Sequence, residues 1–152
     1  MKSKQATLRV LLDTSFILPS LGIDVGKEVS EGLKGLADIK AEIYYSHFSI
    51  LESLWIVARL ATSATFDGES FSLGLRSIIE GGRYMKVEED SKTFNDALKL
   101  YMLGHKDMMD NILYASSTSL NLKLLTLDNK LKEFIRERGL KDTLISPDQI
   151  TY

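Results

Sequence analysis

Four acidic residues lie within or at the end of apolar runs of this chain. They are Asp13 (in LLDTSF), Glu52 (in SILESLW), Asp110 (in DMMDNILYASS) and Asp128 (in LLTLDNKL). An unpaired carboxylate is costly in apolar surroundings. If the fold brings the four together, their charges repel one another, and a divalent cation is the usual remedy. The pattern therefore predicts a metal-dependent enzyme that acts on a phosphate substrate.

The elements that must position these acids follow from the hydrophobic pattern. Apolar runs predict strands at residues 8–12, 42–46, 83–87, 123–127 and 143–146. Apolar residues at helical spacing predict helices at residues 25–36, 47–62, 70–81, 91–103, 107–120 and 129–138, the first two capped by Asp24 and Ser46. This alternation predicts the α/β class, as a three-layer α/β/α sandwich around a mainly parallel sheet of four to five strands.

One edge of that sheet is expected to carry all four acids. Asp13 and Asp128 directly follow strands, Glu52 lies in the first turns after a strand, and Asp110 opens its helix. Ligands of open α/β sheets bind outside the carboxyl ends of the strands. Four independent capping acids have no reason to converge there, so the shared edge is a stronger signal than any single acid.

Each acid also has a purely structural explanation. Asp13 and Asp128 suit helix N-caps or turns. Glu52 suits the margin of the core if it pairs with a base such as Arg59. Glu52 nevertheless shares a helix row with apolar residues, where a solvated glutamate is unusual.

Hydroxyl groups accompany two of the acids. Thr14 and Ser15 directly follow Asp13 and are placed to hold its carboxylate or a bound water. Thr126 precedes Asp128 by two residues, which puts both side chains on the same side of an extended chain. These three residues are therefore candidates for supporting the site.

A further acid, Asp107, lies three residues before Asp110 and on the same helix face. Negative charge at a helix N-terminus is stabilising in itself, so one of the two acids is explained without a ligand role. We favour Asp110 as the ligand because it directly precedes the apolar segment NILYASS, and keep Asp107 as an additional metal candidate. His105, nearby in sequence, is interpreted as a loop or surface residue.

Composition narrows the classes of protein. The 152 residues, 44 % apolar and with a net charge of −2, fit one domain, which we predict to span residues 1–152. Cysteine is absent and there are only two histidines, which disfavours thiolate or multi-histidine metal sites. The sequence lacks a run of about 20 apolar residues and a signal-peptide pattern. We therefore predict a cytoplasmic protein with no membrane segment.

LLDTSF, SILE, DNILYASS and LLTLDNKL, in this order and spacing, resemble the PIN domain over nearly the whole chain. The resemblance implies a Mg²⁺- or Mn²⁺-dependent endoribonuclease with a PIN-like fold. It implies that Asp13 and Asp110 are direct ligands of the first ion, and that Glu52 and Asp128 complete the site, bind metal-bound waters or hold a second ion. The hydroxyl that precedes the last acid by two residues in many members corresponds to Thr126.

An RNA substrate must be held by positive or aromatic groups. The basic candidates near the predicted edge are Arg59, Lys106 and Lys130. Single-stranded RNA also stacks on aromatic side chains, but three aromatic residues near the edge are assigned to the core: Tyr44, Tyr45 and Trp55.

Several biological roles stay open at this stage. A PIN nuclease acts either as the toxin of a VapC-type pair, bound by a small antitoxin and commonly homodimeric, or as a housekeeping RNA-processing enzyme. A PIN domain that only binds RNA or a protein partner is a third alternative. The helices predicted at 25–36 and 70–81 are candidates for a dimer surface. A haloacid-dehalogenase-type phosphatase is disfavoured because position 15 is Ser, and no P-loop motif occurs.

Overall fold

The computed structural model describes residues 6–150. Its centre is a sheet of five strands, which are β1 (Arg9–Leu12), β2 (Glu42–Tyr45), β3 (Met85–Lys86), β4 (Lys123–Leu125) and β5 (Leu144–Ile145). All neighbouring strands are parallel and follow the order β3-β2-β1-β4-β5. The predicted α/β class and its parallel sheet are confirmed.

Helices cover both faces of the sheet. Within residues 6–150 the α-helices are α1 (Thr14–Ile17), α2 (Lys27–Asp38), α3 (His47–Leu60), α4 (Gly68–Ile79), α5 (Ser91–Leu103), α6 (Met108–Leu120) and α7 (Asn129–Glu137), with 3-10 turns at Leu18–Leu21 and Pro147–Gln149. No helix in this described part is both long and apolar enough to cross a membrane.

The central strand β1 shows why the molecule has three layers. Val10 and Leu12 point into one core, which α1, α2 and α4 help to form. Leu11 points into the other, together with residues of α5, α6 and α7. This alternation follows from the two-residue period of a strand, and burial on both faces is typical of parallel sheets.

Two local predictions about the first helices differ from the structure. Helix α1 was not expected, and Asp13 caps it by accepting a hydrogen bond from the Thr14 backbone N–H. The assignment of Asp24 as the N-cap of α2 is wrong. Its carboxylate instead accepts a hydrogen bond from the Gly26 N–H at 2.9 Å, and Gly26 itself occupies the cap position with φ of 112°, a conformation that favours glycine.

The three aromatic residues that were assigned to the core differ in how far they are buried. Tyr45 is 2 % exposed, as expected, whereas Trp55 is 67 % exposed on the outer face of α3, so that assignment was wrong. Tyr44 is only half-buried, and its ring lies beneath the guanidinium of Arg9. Periodicity located the rows of α3, but it did not identify which row faces the core.

An exposed apolar surface joins α3 to α5. Edge-on packing of Phe48 against Phe94, with ring centroids 5.7 Å apart, brings the two helices together. Around this contact, α3 and α5 expose large apolar side chains, and we call these residues the α3–α5 surface: Leu51, Leu54, Trp55, Phe94, Leu98 and Met102. The helices α2 and α4, which the sequence offered as candidates for a dimer surface, pack against the 3-10 turns, although Leu73 of α4 is exposed.

Candidate active site

Asp13 sits where β1 ends, and both of its carboxylate oxygens are held. Oδ1 accepts the Thr14 backbone N–H at 2.6 Å, and Oδ2 accepts the Thr126 hydroxyl at 2.7 Å. The Asp13 backbone N–H donates to the carbonyl oxygen of Leu125 on the neighbouring strand. The acid is thus fixed in orientation by both β1 and the segment after β4.

Thr126 links two of the four acids. While its hydroxyl donates to Asp13, the same oxygen accepts the backbone N–H of Asp128 at 3.1 Å. Asp128 in turn caps α7, its Oδ1 accepting the N–H groups of Lys130 and Leu131. Asp128 therefore acts as a helix cap while its carboxylate remains at the sheet edge.

The carboxylate of Asp110 lies in the first turn of α6, behind a cap formed by Asp107. The exposed Asp107 carboxylate accepts the Asp110 backbone N–H at 3.1 Å. Of the two acids, Asp110 and not Asp107 belongs to the cluster of possible metal ligands described next. Asp107 thus orients the helix that carries Asp110.

A ring nitrogen of His105 and carboxylate oxygens of Asp110 and Asp128 all lie within 4.8 Å of one another. His105 lies in the loop between α5 and α6, as expected, but its interpretation as a surface residue is wrong, because its side chain is only 9 % exposed. The residue that holds it, Asn111, was also missed. One signal was available: Asn111 opens an apolar helical segment, and a buried amide needs partners.

The carboxylates of the cluster disturb one another's ionisation. Burial raises the pKa of Asp110 to about 9, helped by a hydrogen bond with Asp128 and by the charges of Asp13, Asp107 and Asp128. Burial also acts to raise the pKa of Asp128, but the hydrogen bonds from Asp110, Leu131 and Lys130 outweigh it and lower that pKa. One proton is therefore shared between Asp110 and Asp128 when no cation is present.

Asp13 and Glu52 also interact electrostatically with this site. Burial, with smaller effects from the charges of Glu52 and Asp128, raises the pKa of Asp13 to about 6, against the lowering effect of its hydrogen bonds from Thr126 and Thr14. The four acids are therefore close enough for their charges to act on the same site.

Glu52 is not explained by an ion pair with a neighbouring base. Its side chain is half-buried on α3, and within residues 6–150 it takes part in no salt bridge. The suggested partner Arg59 donates instead to the carbonyl oxygen of Trp55, at 3.4 Å. The purely structural explanation, in which Glu52 pairs with Arg59, is therefore not supported.

The hydroxyls after Asp13 do not support its carboxylate. The buried Thr14 hydroxyl has no hydrogen-bond partner, so Thr14 contributes through its backbone only. Among the described residues, no hydrogen bond joins the Ser15 hydroxyl to Asp13. Thr126 alone supplies a supporting hydroxyl.

The basic candidates lie at different distances from this edge. Lys130 is exposed at the start of α7, two residues after Asp128. Lys106 directly follows His105, and its ammonium group lies 4.3 Å from the centre of the Tyr101 ring. Arg59 lies seven residues after Glu52 on α3, or about 10 Å along the helix axis. Lys130 and Lys106 are therefore close in sequence to residues of the cluster, and Arg59 is more distant.

The donor set fits a divalent cation. Carboxylate oxygens are the ligands that Mg²⁺ and Mn²⁺ prefer, and a cation would displace the proton that Asp110 and Asp128 share. The pKa values of Asp13 and Asp110 are raised mainly by burial and in part by the charges of neighbouring acids, which a bound cation would offset. Those acids would hold the ion.

Comparison with known proteins places this geometry in a family. The sequence matches the PIN domain over residues 10–137. Because the match covers most of the chain, the protein belongs to the PIN domain family, whose members are nucleases that generally use divalent metal ions. The family membership predicted from the sequence is confirmed. No curated protein matches the sequence significantly.

Solved structures with the same fold include several toxin–antitoxin assemblies. VapBC2 from Rickettsia felis, bound to a DNA fragment from its promoter, gives a TM-score of 0.63 at 16 % identity, covering 91 % of this chain and 98 % of that chain. A toxin–antitoxin complex from Klebsiella pneumoniae gives 0.59 at 12 % identity, with 91 % and 97 % covered. FitAcB from Neisseria gonorrhoeae gives 0.54 at 16 % identity, with the same coverage. At such identities the similarity concerns the fold.

Proposed function

We propose that this protein is a Mg²⁺- or Mn²⁺-dependent endoribonuclease, with its metal site built on Asp13, Glu52, Asp110 and Asp128. The observation that carries the proposal is the cluster at the carboxyl edge of the sheet, in which carboxylate oxygens of Asp110 and Asp128 and a ring nitrogen of His105 lie within 4.8 Å of one another. Membership of a nuclease family supports the reaction class.

Each residue has a distinct part in the proposed reaction. Asp13, Asp110 and Asp128 would hold the ion, and the Thr126 hydroxyl fixes Asp13 by a hydrogen bond. Glu52 adds negative charge beside Asp13. A bound ion would activate water for attack on phosphorus and neutralise charge developing on the phosphoryl oxygens.

The substrate is proposed to contact the basic groups that are close in sequence to residues of the cluster. Lys130 is exposed at the start of α7, two residues after Asp128. Lys106 lies beside the loop that carries His105. Arg59 is the weakest of the three candidates because it lies two turns beyond Glu52.

Cleavage of a labelled single-stranded RNA tests the proposal. We expect cleavage by the wild-type protein with Mn²⁺, none with EDTA, and at least about a hundredfold slower cleavage by Asp13→Asn, the order of loss seen when a catalytic electrostatic group is removed. The matched control is Asp38→Asn, which removes an exposed acid at the end of α2. Cleavage that persists in EDTA and in Asp13→Asn would overturn the metal mechanism.

The biological role that we propose is that of a toxin held by a small antitoxin. The toxin–antitoxin complexes among the structural neighbours support it. A small adjacent reading frame encoding a DNA-binding protein, whose product co-purifies with this chain and suppresses its cleavage of RNA, is the expected result. An isolated gene whose product cleaves one defined precursor RNA would favour a housekeeping processing nuclease. Metal binding without cleavage of any RNA would favour a PIN domain that only binds.

Assembly and location complete the proposal. We propose that the α3–α5 surface forms a homodimer, because its six large apolar side chains are exposed and such exposure often marks an interaction site. We also propose that residues 1–152 form a single domain and that it acts in the cytoplasm, where an RNA substrate is available.

A further inference from the structure

His105 and Asn111 form a closed pair of hydrogen bonds. The Asn111 side-chain nitrogen donates to the His105 carbonyl oxygen at 2.8 Å, and the Asn111 side-chain oxygen lies 2.7 Å from His105 Nδ1. Asn111 is fully buried and directly follows Asp110. The pair therefore ties the histidine to the first turn of α6.

This pairing fixes which ring nitrogen carries the proton in a neutral imidazole. A carbonyl oxygen only accepts hydrogen bonds, so the NH₂ group of Asn111 must face the His105 carbonyl and its oxygen must face Nδ1. Nδ1 is consequently the donor. The lone pair of the neutral ring then belongs to Nε2, to which the described residues offer no hydrogen-bond partner.

Nε2 is the ring nitrogen that remains free to bind a ligand. With Nδ1 engaged by Asn111, Nε2 is the ring nitrogen left for the group in which His105, Asp110 and Asp128 lie within 4.8 Å of one another. The ring packs against Phe134 of α7, with centroids 5.2 Å apart, and is only 9 % exposed. A buried imidazole held in this way resembles the histidine ligands of metal sites, whose second nitrogen is fixed by a hydrogen bond.

We infer that His105 is a nitrogen ligand, through Nε2, of the divalent ion held by Asp110 and Asp128, and that it biases the site toward Mn²⁺ over Mg²⁺. The inference rests on the proposed metal site and adds a residue outside its carboxylate set. Imidazole binds first-row transition ions well, whereas Mg²⁺ prefers oxygen ligands. Asn111 acts as the positioning residue.

Mn²⁺ bound to tag-free protein provides a direct test by pulsed electron paramagnetic resonance. We expect the ¹⁴N coupling of an imidazole in the wild type, its retention in His47→Gln, and its loss in His105→Gln. The chain contains only these two histidines, and His47 is exposed at the start of α3, so it is the matched control. If His105→Gln fails to fold, the His47→Gln variant decides alone, since its single histidine is His105.

Metal affinity provides the second readout. Titration of free Mn²⁺ should show binding weakened by about 10–100-fold in His105→Gln, the range known for altered support of metal ligands, with a smaller loss for Mg²⁺ measured by competition. Unchanged Mn²⁺ affinity in a folded His105→Gln variant would overturn the inference. Mn²⁺ binding by the wild type without imidazole coupling would overturn it and leave the proposed metal site standing. A wild type that binds no Mn²⁺ would overturn both.

Discussion

The ionisation of two single residues makes the stability of the metal-free protein depend on pH. The pKa of Asp110 is raised from 3.8 to about 9 and that of Asp13 to about 6. The folded state therefore keeps protons that the unfolded chain releases above about pH 4. Stability from these groups is fully present below that pH and is lost as pH rises toward 9. The lowered pKa of Asp128 affects stability only at pH values below its ordinary pKa of 3.8.

Asp110→Asn should remove most of this pH dependence. In EDTA, the wild-type melting temperature is expected to fall by several degrees between pH 5 and pH 9, whereas the variant should melt at a more constant temperature and above the wild type at pH 8. Thermal unfolding followed by circular dichroism measures both, with Asp38→Asn as the control that keeps the wild-type slope. A wild-type protein whose stability rises through this window would contradict the assignment.

At the scale of elements, the fit of α4 against the 3-10 turn Leu18–Leu21 depends on one glycine. A Cβ atom at Gly74 would lie 1.9 Å from the carbonyl oxygen of Ser20, a distance at which backbone must move. At Gly68, in the same helix, the nearest atom would be the Phe66 ring at 3.6 Å, an ordinary contact. A side chain can therefore be added at Gly68 without a clash, but not at Gly74.

Gly74→Ala should therefore destabilise the protein by at least about 1–3 kcal/mol, the usual cost of overpacking a core. Gly68→Ala should stay within about 0.5 kcal/mol of the wild type, as surface substitutions usually do. Urea unfolding of both variants gives the comparison. Equal stabilities would show that α4 is not held closely against this turn.

Much of the element order follows from the sequence, and the exceptions have physical reasons. Strands and long helices were predicted because their apolar periods extend over several residues. Helix α1, with four residues, is about one turn long and too short to display a period. His105 was misread because its burial depends on Asn111 and on Phe134, and the latter lies in another helix. Such contacts depend on tertiary packing, which cannot be read from a single amino-acid sequence.

The four acids were predicted at one sheet edge from element order alone. The contacts of these acids could not be predicted from the sequence. Thr126 joins Asp13 to Asp128, and Asp107 caps the helix that carries Asp110. Each hydroxyl had a plausible partner in sequence. Side-chain geometry was needed to choose Thr126 over Thr14 and Ser15.

At the scale of the whole molecule, the α3–α5 surface is expected to hold two copies together. Leu98→Glu places a charge in that surface, where Leu98 is 50 % exposed, and should convert a dimer to a monomer. Leu73→Glu, at a position 60 % exposed on α4, should leave the dimer intact. Light scattering after size-exclusion chromatography distinguishes the two. A wild type that stays monomeric at high concentration would exclude the dimer.

The hydrogen bond from Thr126 to Asp13 joins residues 113 positions apart in the chain. It forms only where β4 lies between β1 and β5, so Asp13 gains its support only after the ribosome has delivered nearly the whole polypeptide. A nascent or truncated chain that ends before β4 lacks both Thr126 and Asp128. The arrangement of this edge is thereby completed only when synthesis is almost finished.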